Sequence, residues 1–143
     1  MEPRELSNHV IIAGYGIVGR CVAESLKASR TAFCIVELNK ATVKRLAKGA
    51  AAIIEGDIRQ ESILRQAGIE RAIALALAMP DEKHTLEALT VARRLRPDIK
   101  IIARCTFSSA GMQAARLGAA VVVAEQVVAR EFSVQLEKNL AKK

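Results

Sequence analysis

The sequence predicts a single α/β domain, a doubly wound sheet of six parallel strands with helices on both faces. Three observations carry this prediction. Strand-like and helix-like segments alternate from end to end. The strand-like segments are apolar along their length rather than alternating, as strands covered on both faces are. No Gly/Ser/Pro-rich linker, repeat or low-complexity stretch divides the 143 residues. A chain of this length buries roughly two thirds of its unfolded surface, enough for a core without disulfides or metal.

Residues 1–8 read as a short lead-in and 9–143 as the domain. "HVIIA" is the first strand, and "GIVGRCVAESLKAS" follows as a helix with Val18, Val22 and Leu26 on one stripe. "TAFCIVE" is the second strand, leading to a helix "NKATVKRLAKG" capped by Asn39 and closed by Gly49. "AAIIEGD" is the third strand, with a helix near Gln60 to Ala67 behind it. The strand "RAIALALA" precedes the helix "PDEKHTLEALTVARRL", with Pro80 at its start. After the stop at Pro97 come the strand "DIKIIARC", a short helix from Ser109 to Arg116, the strand "AAVVVA" and a final helix from Glu125 to about Leu140.

Composition excludes several classes of function. The chain is 51% hydrophobic, but charged residues break every apolar run well before the length of a membrane span. "MEPRELSN" has acidic residues and no apolar stretch, so it is not a signal peptide, and a cytoplasmic protein is expected. A net charge of +7 points to an acidic partner or a membrane surface. The cations are scattered singly and aromatics are 3%, too few for base stacking, so no nucleic acid partner is expected. Cys21, Cys34 and Cys105 match neither zinc nor redox spacing and read as reduced core residues. His9 and His84 lack companions for catalysis or metal and are expected in solvated or capping roles. "RRLRP" reads as a solvated helix end, and Met79-Pro80 as a strand exit.

The glycines Gly14, Gly16 and Gly19 follow the first strand and open the first helix, and Glu37 ends the second strand. That context turns a weak GxGxxG pattern into a Rossmann-like fingerprint. Gly14 permits the tight turn, Gly16 a close approach of backbone to phosphate, and Gly19 the packing of helix on sheet. Backbone amides from Gly16 through Ile17 to Val18, with Tyr15 beside them, would then face an anion at the positive end of a helix dipole. Glu37, with Leu38 and Asn39 behind it, would accept both ribose hydroxyls of an adenosine and repel a 2′-phosphate, which disfavours NADP. In "EGDI", Gly56, Asp57 and Ile58 reach the same sheet edge. Asp57 is either an adenine-side acceptor or a cap for the next helix, and Ile58 would cover the base. Arg104 ends the fifth strand there, either as a phosphate contact or as a surface charge paired with a neighbouring helix.

The ordered blocks "HVIIAGYGIVGRCVAESL", "IVELN", "EGDI", "ILRQAGIERA", "IARC" and "RLGAAVVVAEQ", from His9 to about Ala129, resemble the RCK/KTN (TrkA-N type) domain. The first block is most similar to the form at the C-terminus of Kef-type potassium/proton antiporters of the monovalent cation:proton antiporter-2 family. The resemblance implies a regulatory module at the cytoplasmic face of the inner membrane that binds AMP, ADP, ATP or NAD(H), forms a homodimer and gates a cation pathway. It also implies Gly14, Gly16 and Gly19 as the phosphate loop, Glu37 as ribose acceptor, Asp57 as adenine-side contact and Arg104 as phosphate contact. Where many family members carry a polar Thr or Asp after the fourth strand this chain has "LAMPD", which brings mononucleotides such as AMP into range. The transmembrane cation transporter portion would lie in the same full-length chain or in a separate one.

The rival class is a small NAD-dependent oxidoreductase or its cofactor-binding subunit. Hydride transfer needs a substrate pocket over the nicotinamide and a positioned acid or base, and the sixth strand nearly exhausts the chain. No catalytic residue and no metal site is expected. In the last helix Val128, Phe132, Leu136 and Leu140 form an apolar stripe that either covers its own sheet or crosses to a second subunit.

Overall fold

The computed structural model describes residues 2–49 and 51–142. Met1 at the head of the expected lead-in, and Ala50 and Lys143 within the expected domain, lie outside them. The six strands are β1 (Val10–Ala13), β2 (Phe33–Glu37), β3 (Ala52–Glu55), β4 (Ala74–Leu77), β5 (Lys100–Cys105) and β6 (Ala120–Val123). All pair in parallel, in the order β3-β2-β1-β4-β5-β6. The helices are α1 (Ile17–Ala28), α2 (Lys40–Leu46), α3 (Glu61–Gln66), α4 (Glu82–Leu95), α5 (Ser108–Arg116) and α6 (Ala124–Ala141). This is the doubly wound Rossmann order, whose reversal point lies between β1 and β4.

Alternate residues of each strand feed two cores. Ile11, Cys34, Val36, Leu75 and Ile101 point to one face, where Leu64 of α3, Leu89 of α4 and Ala110 of α5 cover them. Ile12, Ile35 and Ala76 point to the other, under Ala23 of α1 with Val22, Leu26 and Leu46 around it. The second face is covered only in part. Over β5 and β6 it leaves Ile102 and Val122 exposed, and every residue of α6 in the described structure is exposed or half-buried. Val18 belongs to that open region, not to the core contact made by Val22 and Leu26.

Several expectations change at this level. The lead-in is tied down: a 3-10 turn, Pro3–Glu5, precedes the buried Leu6, and Arg71 donates to the carbonyls of Leu6 (3.0 Å) and Arg4 (2.9 Å). Cys34 and Cys105 are buried as expected, and burial pushes the Cys34 thiol up to about 12, but Cys21 is exposed. His9 is not solvated; of the two expected roles it takes the capping one, since its ring reaches the carbonyl of Ala67, the C-cap of α3. It is fully buried, its Nε2 lies 2.7 Å from the Ala67 carbonyl, and its Nδ1 has no partner.

The "RRLRP" arginines are not simply solvated. Arg93 donates to the carbonyls of Leu117, Pro97, Ile99 and Gly118, and Arg96 to those of Ile69, Glu70 and Ala72. They fasten the end of α4 to the loops around it, satisfying carbonyls that helix and sheet leave open.

Candidate functional site

A crevice of about 600 Å³ opens at the C-terminal edge of the sheet, where β1 and β4 part. Its floor is the glycine loop. Gly14 has φ +90° and its N–H donates to the Val36 carbonyl at 2.9 Å, so the chain turns sharply as it leaves β1. A Cβ on Gly19 would stand 1.9 Å from the Gly14 carbonyl oxygen, which is why α1 can start so close to the strand only with glycine there. A Cβ on Gly16 would meet nothing within 4 Å: that position faces the open crevice.

Gly16 is the N-cap of α1, no side chain caps it, and the first intrahelical bond runs from Arg20 N–H to the Gly16 carbonyl at 3.0 Å. The N–H groups of Ile17, Val18 and Gly19 therefore have no partner within the helix, and the positive end of the helix dipole faces the opening. Ile17 is 84% exposed at the mouth.

Glu37 closes the opposite side. Its carboxylate accepts from Tyr15 N–H at 2.7 Å and from Asn39 N–H at 2.9 Å, tying the glycine loop to the end of β2. Each oxygen keeps acceptor capacity for a hydroxyl in the crevice. The remaining walls are Leu38, the Gly56–Ile58 turn, the Met79–Asp81 exit from β4, His84 and Arg104.

Every residue predicted for the site lines this crevice except Gly19, which packs α1 onto β1, and Asn39, whose Oδ1 caps α2 by accepting Thr42 N–H at 3.0 Å. Asp57 is not the cap of the next helix, because Gln60 holds that position. Its carboxylate instead binds Arg59, accepting from Nε at 3.0 Å and Nη2 at 2.7 Å, and Arg59 reaches on to Glu87 at 2.9 Å. The Arg59 hydrogen bonds hold the Asp57 carboxyl below the usual carboxylate range, against a smaller opposing effect of burial.

Arg104 has no ion pair or hydrogen bond among the described residues, so it is not paired with a neighbouring helix. It is a cation on the crevice wall with its donors available.

Sequence reasoning missed Arg59, whose only signal was its place two residues after Asp57. It also set aside Met79, Pro80 and His84, which do line the crevice. His84 sits on the first turn of α4 with its Nδ1 3.8 Å from Asp81, whose carboxylate accepts His84 N–H at 3.0 Å and caps the helix; Pro80 lies just outside it. No group of three or more His, Cys, Asp or Glu among the described residues is arranged to hold a metal.

The crevice thus offers unpaired amides and a free guanidinium at one end, a carboxylate across from them, and apolar walls at Ile58 and Met79. It can hold an anionic group, a vicinal diol and a flat apolar ring at once.

Comparison with known proteins agrees with this architecture. The TrkA-N domain profile matches residues 10–125. YbaL of Escherichia coli (strain K12), by name a cation/proton antiporter, is 32% identical over 136 residues, 94% of this chain and 24% of that protein. The solved TrkA-N domain of the inner membrane protein YbaL superposes with a TM-score of 0.87 at 31% identity, covering 92% of this chain and 98% of that one. The Kef C-terminal domain of Shewanella denitrificans, solved in an AMP-bound form, gives 0.83 at 26% identity, over 95% of this chain and 83% of that one. This chain thus spans about a quarter of the full-length antiporter it matches. No helix among the described residues is long and apolar enough to cross a membrane.

Proposed function

The chain belongs to the TrkA-N domain family, and from that premise we propose that it is a nucleotide-sensing module of a cation transport protein. Residues 9–143 form the sensing domain at the cytoplasmic face of the inner membrane. It gates potassium/proton antiport or a related cation pathway without catalysis of its own. The ligand is an adenine nucleotide, AMP, ADP, ATP or NAD(H), with NADP disfavoured by the Glu37 charge.

The observation that carries this reading is the pairing across one crevice of unpartnered α1 amides with the Glu37 carboxylate. In it the phosphate lies on the N–H groups of Gly16 to Val18, within reach of Arg104. Glu37 accepts the ribose hydroxyls, and Asp57 and Ile58 border the base. The AMP-bound Kef domain supports a mononucleotide.

Sensing requires two arrangements of the module that bind the nucleotide with different affinity. A homodimer joined through α6 supplies them: Val128, Phe132, Leu136 and Leu140 are exposed, so the stripe does not cover its own sheet.

Titration calorimetry across AMP, ADP, ATP, NAD, NADH and NADP tests the reading. The expected outcome is binding of at least one of the first five and much weaker binding of NADP. Glu37→Ala is expected to weaken binding about 10-fold or more, since it removes charge-assisted acceptors worth about 1.5–3 kcal/mol each. Equal binding by the variant contradicts the assignment of the ribose contact.

A further inference from the structure

The net charge of the chain is not spread evenly. Residues 17–49 carry Arg20, Lys27, Arg30, Lys40, Lys44, Arg45 and Lys48 against only Glu24 and Glu37, and so hold five of the seven net positive charges. All seven cations are exposed, on α1, its exit, α2 and the turn after it. Among the described residues only Lys27 has an ionic partner, Glu24 at 3.1 Å.

Between these two helices lies a groove of about 530 Å³ that does not belong to the nucleotide crevice. Its floor is apolar, formed by Ala23, Phe33, Ile35 and Leu46, with Lys27 on its wall. It is roomy because α1 turns Ala23 toward the sheet where a larger side chain would fill the space. Tyr15 lines both the groove and the crevice, so one side chain separates the two.

An apolar slot between two helices whose exposed cations, Lys27 apart, have no ionic partner among the described residues is complementary to an amphiphile, a hydrocarbon chain ending in a negative head. We propose that the α1–α2 face docks on anionic phospholipid, with an acyl chain in the groove and the headgroup phosphate among the lysines. A nucleic acid would leave the apolar floor without a role. The choice of a bilayer as the source of the amphiphile rests on the reading of the module as part of a membrane transporter. Polybasic segments beside an anionic leaflet gain from each Lys or Arg near the surface.

The test uses the whole chain and vesicles of phosphatidylcholine with or without about a third phosphatidylglycerol. Sedimentation is expected to show binding only to the anionic vesicles, weakening with salt. The triple variant Lys40→Gln, Lys44→Gln, Lys48→Gln changes exposed side chains only, and circular dichroism checks its fold. Its partition is expected to fall about a hundredfold.

The groove is tested separately with short-chain dihexanoyl phosphatidylglycerol below its micelle concentration. Tyr15 is the only tyrosine and there is no tryptophan, and because it lines the crevice as well its emission is read with AMP already present, so that a further change reports on the groove. A change in emission is expected. Absence of vesicle binding, or binding that the triple variant retains, overturns the proposal, and vesicle binding with unchanged Tyr15 emission overturns the acyl site. Melting with AMP on the same sample separates the two readings. Stabilisation by AMP without vesicle binding sinks the lipid site alone, and the reverse sinks the nucleotide assignment alone.

Discussion

At the scale of single residues, the three glycines of the loop do different work, and substitution separates them. Gly16 has φ −81°, a backbone any residue adopts, and space where its Cβ would go; Gly19 has the Gly14 carbonyl in that place. Gly19→Ala is therefore expected to lower stability by about 1–3 kcal/mol, read as a fall in thermal midpoint, because backbone must shift to admit the methyl. His9 has a different consequence. Burial, more than the nearby Arg71, lowers its pKa, while the Ala67 carbonyl acts in the opposite direction. The unfolded chain thus binds a proton at a pH where the folded one does not, and stability falls as pH drops below about 6.5 toward the folded value. Melting curves from pH 7 to about 5 are expected to show this decline, and His9→Leu is expected to flatten it. The spacing of Gly14, Gly16, Gly19 and Glu37 was legible in the sequence because each answers a local demand of backbone or charge. His9 was not, since nothing around "NHV" reveals that a carbonyl 58 residues away would receive its ring.

Among the elements, α6 is the one whose apolar stripe the sheet leaves uncovered. It follows β6 directly, runs 18 residues, and has no fully buried residue. The valines of its first turns, Val127 and Val128, join Val18, Ile102 and Val122 around an apolar groove of about 340 Å³ on the open half of the sheet. From sequence the stripe had two equal readings, and only the position of the helix relative to the sheet separates them. Phe132, 72% exposed, is the test position. Phe132→Glu is expected to shift sedimentation from dimer to monomer while changing the stability of the isolated fold by less than about 0.5 kcal/mol. The strands were readable because continuous apolar runs need cover on both faces, and the start of α2 because Asn39 is its cap. The arginines of α4 were not readable. Cations in the last turn of a helix satisfy a dipole argument equally well in solvent or fastened to carbonyls, and only the fold brings the loops after α3 and α5 within their reach.

The whole molecule joins a rigid doubly wound sheet to a crevice at its reversal point and an uncovered helix at its far edge. That the chain would place Asp57, Arg104 and the glycine loop at one edge followed from strand order alone, because parallel strands end on the same side. That Asp57 would be engaged by Arg59, leaving Arg104 without an ionic partner among the described residues, depended on side-chain geometry that spacing does not specify. Occupancy of the crevice is the central claim, and thermal melting with AMP, comparing the native chain with Gly16→Val, tests it most directly. A ligand at a hundredfold excess over its Kd stabilises by about 2.7 kcal/mol, a rise of several degrees in midpoint. The account predicts that rise for the native chain and none for the valine variant, whose midpoint without AMP falls by only a few degrees as the N-cap glycine of α1 is lost. A native midpoint indifferent to AMP and to the other adenine nucleotides at millimolar concentration, or an equal rise in both proteins, would contradict it.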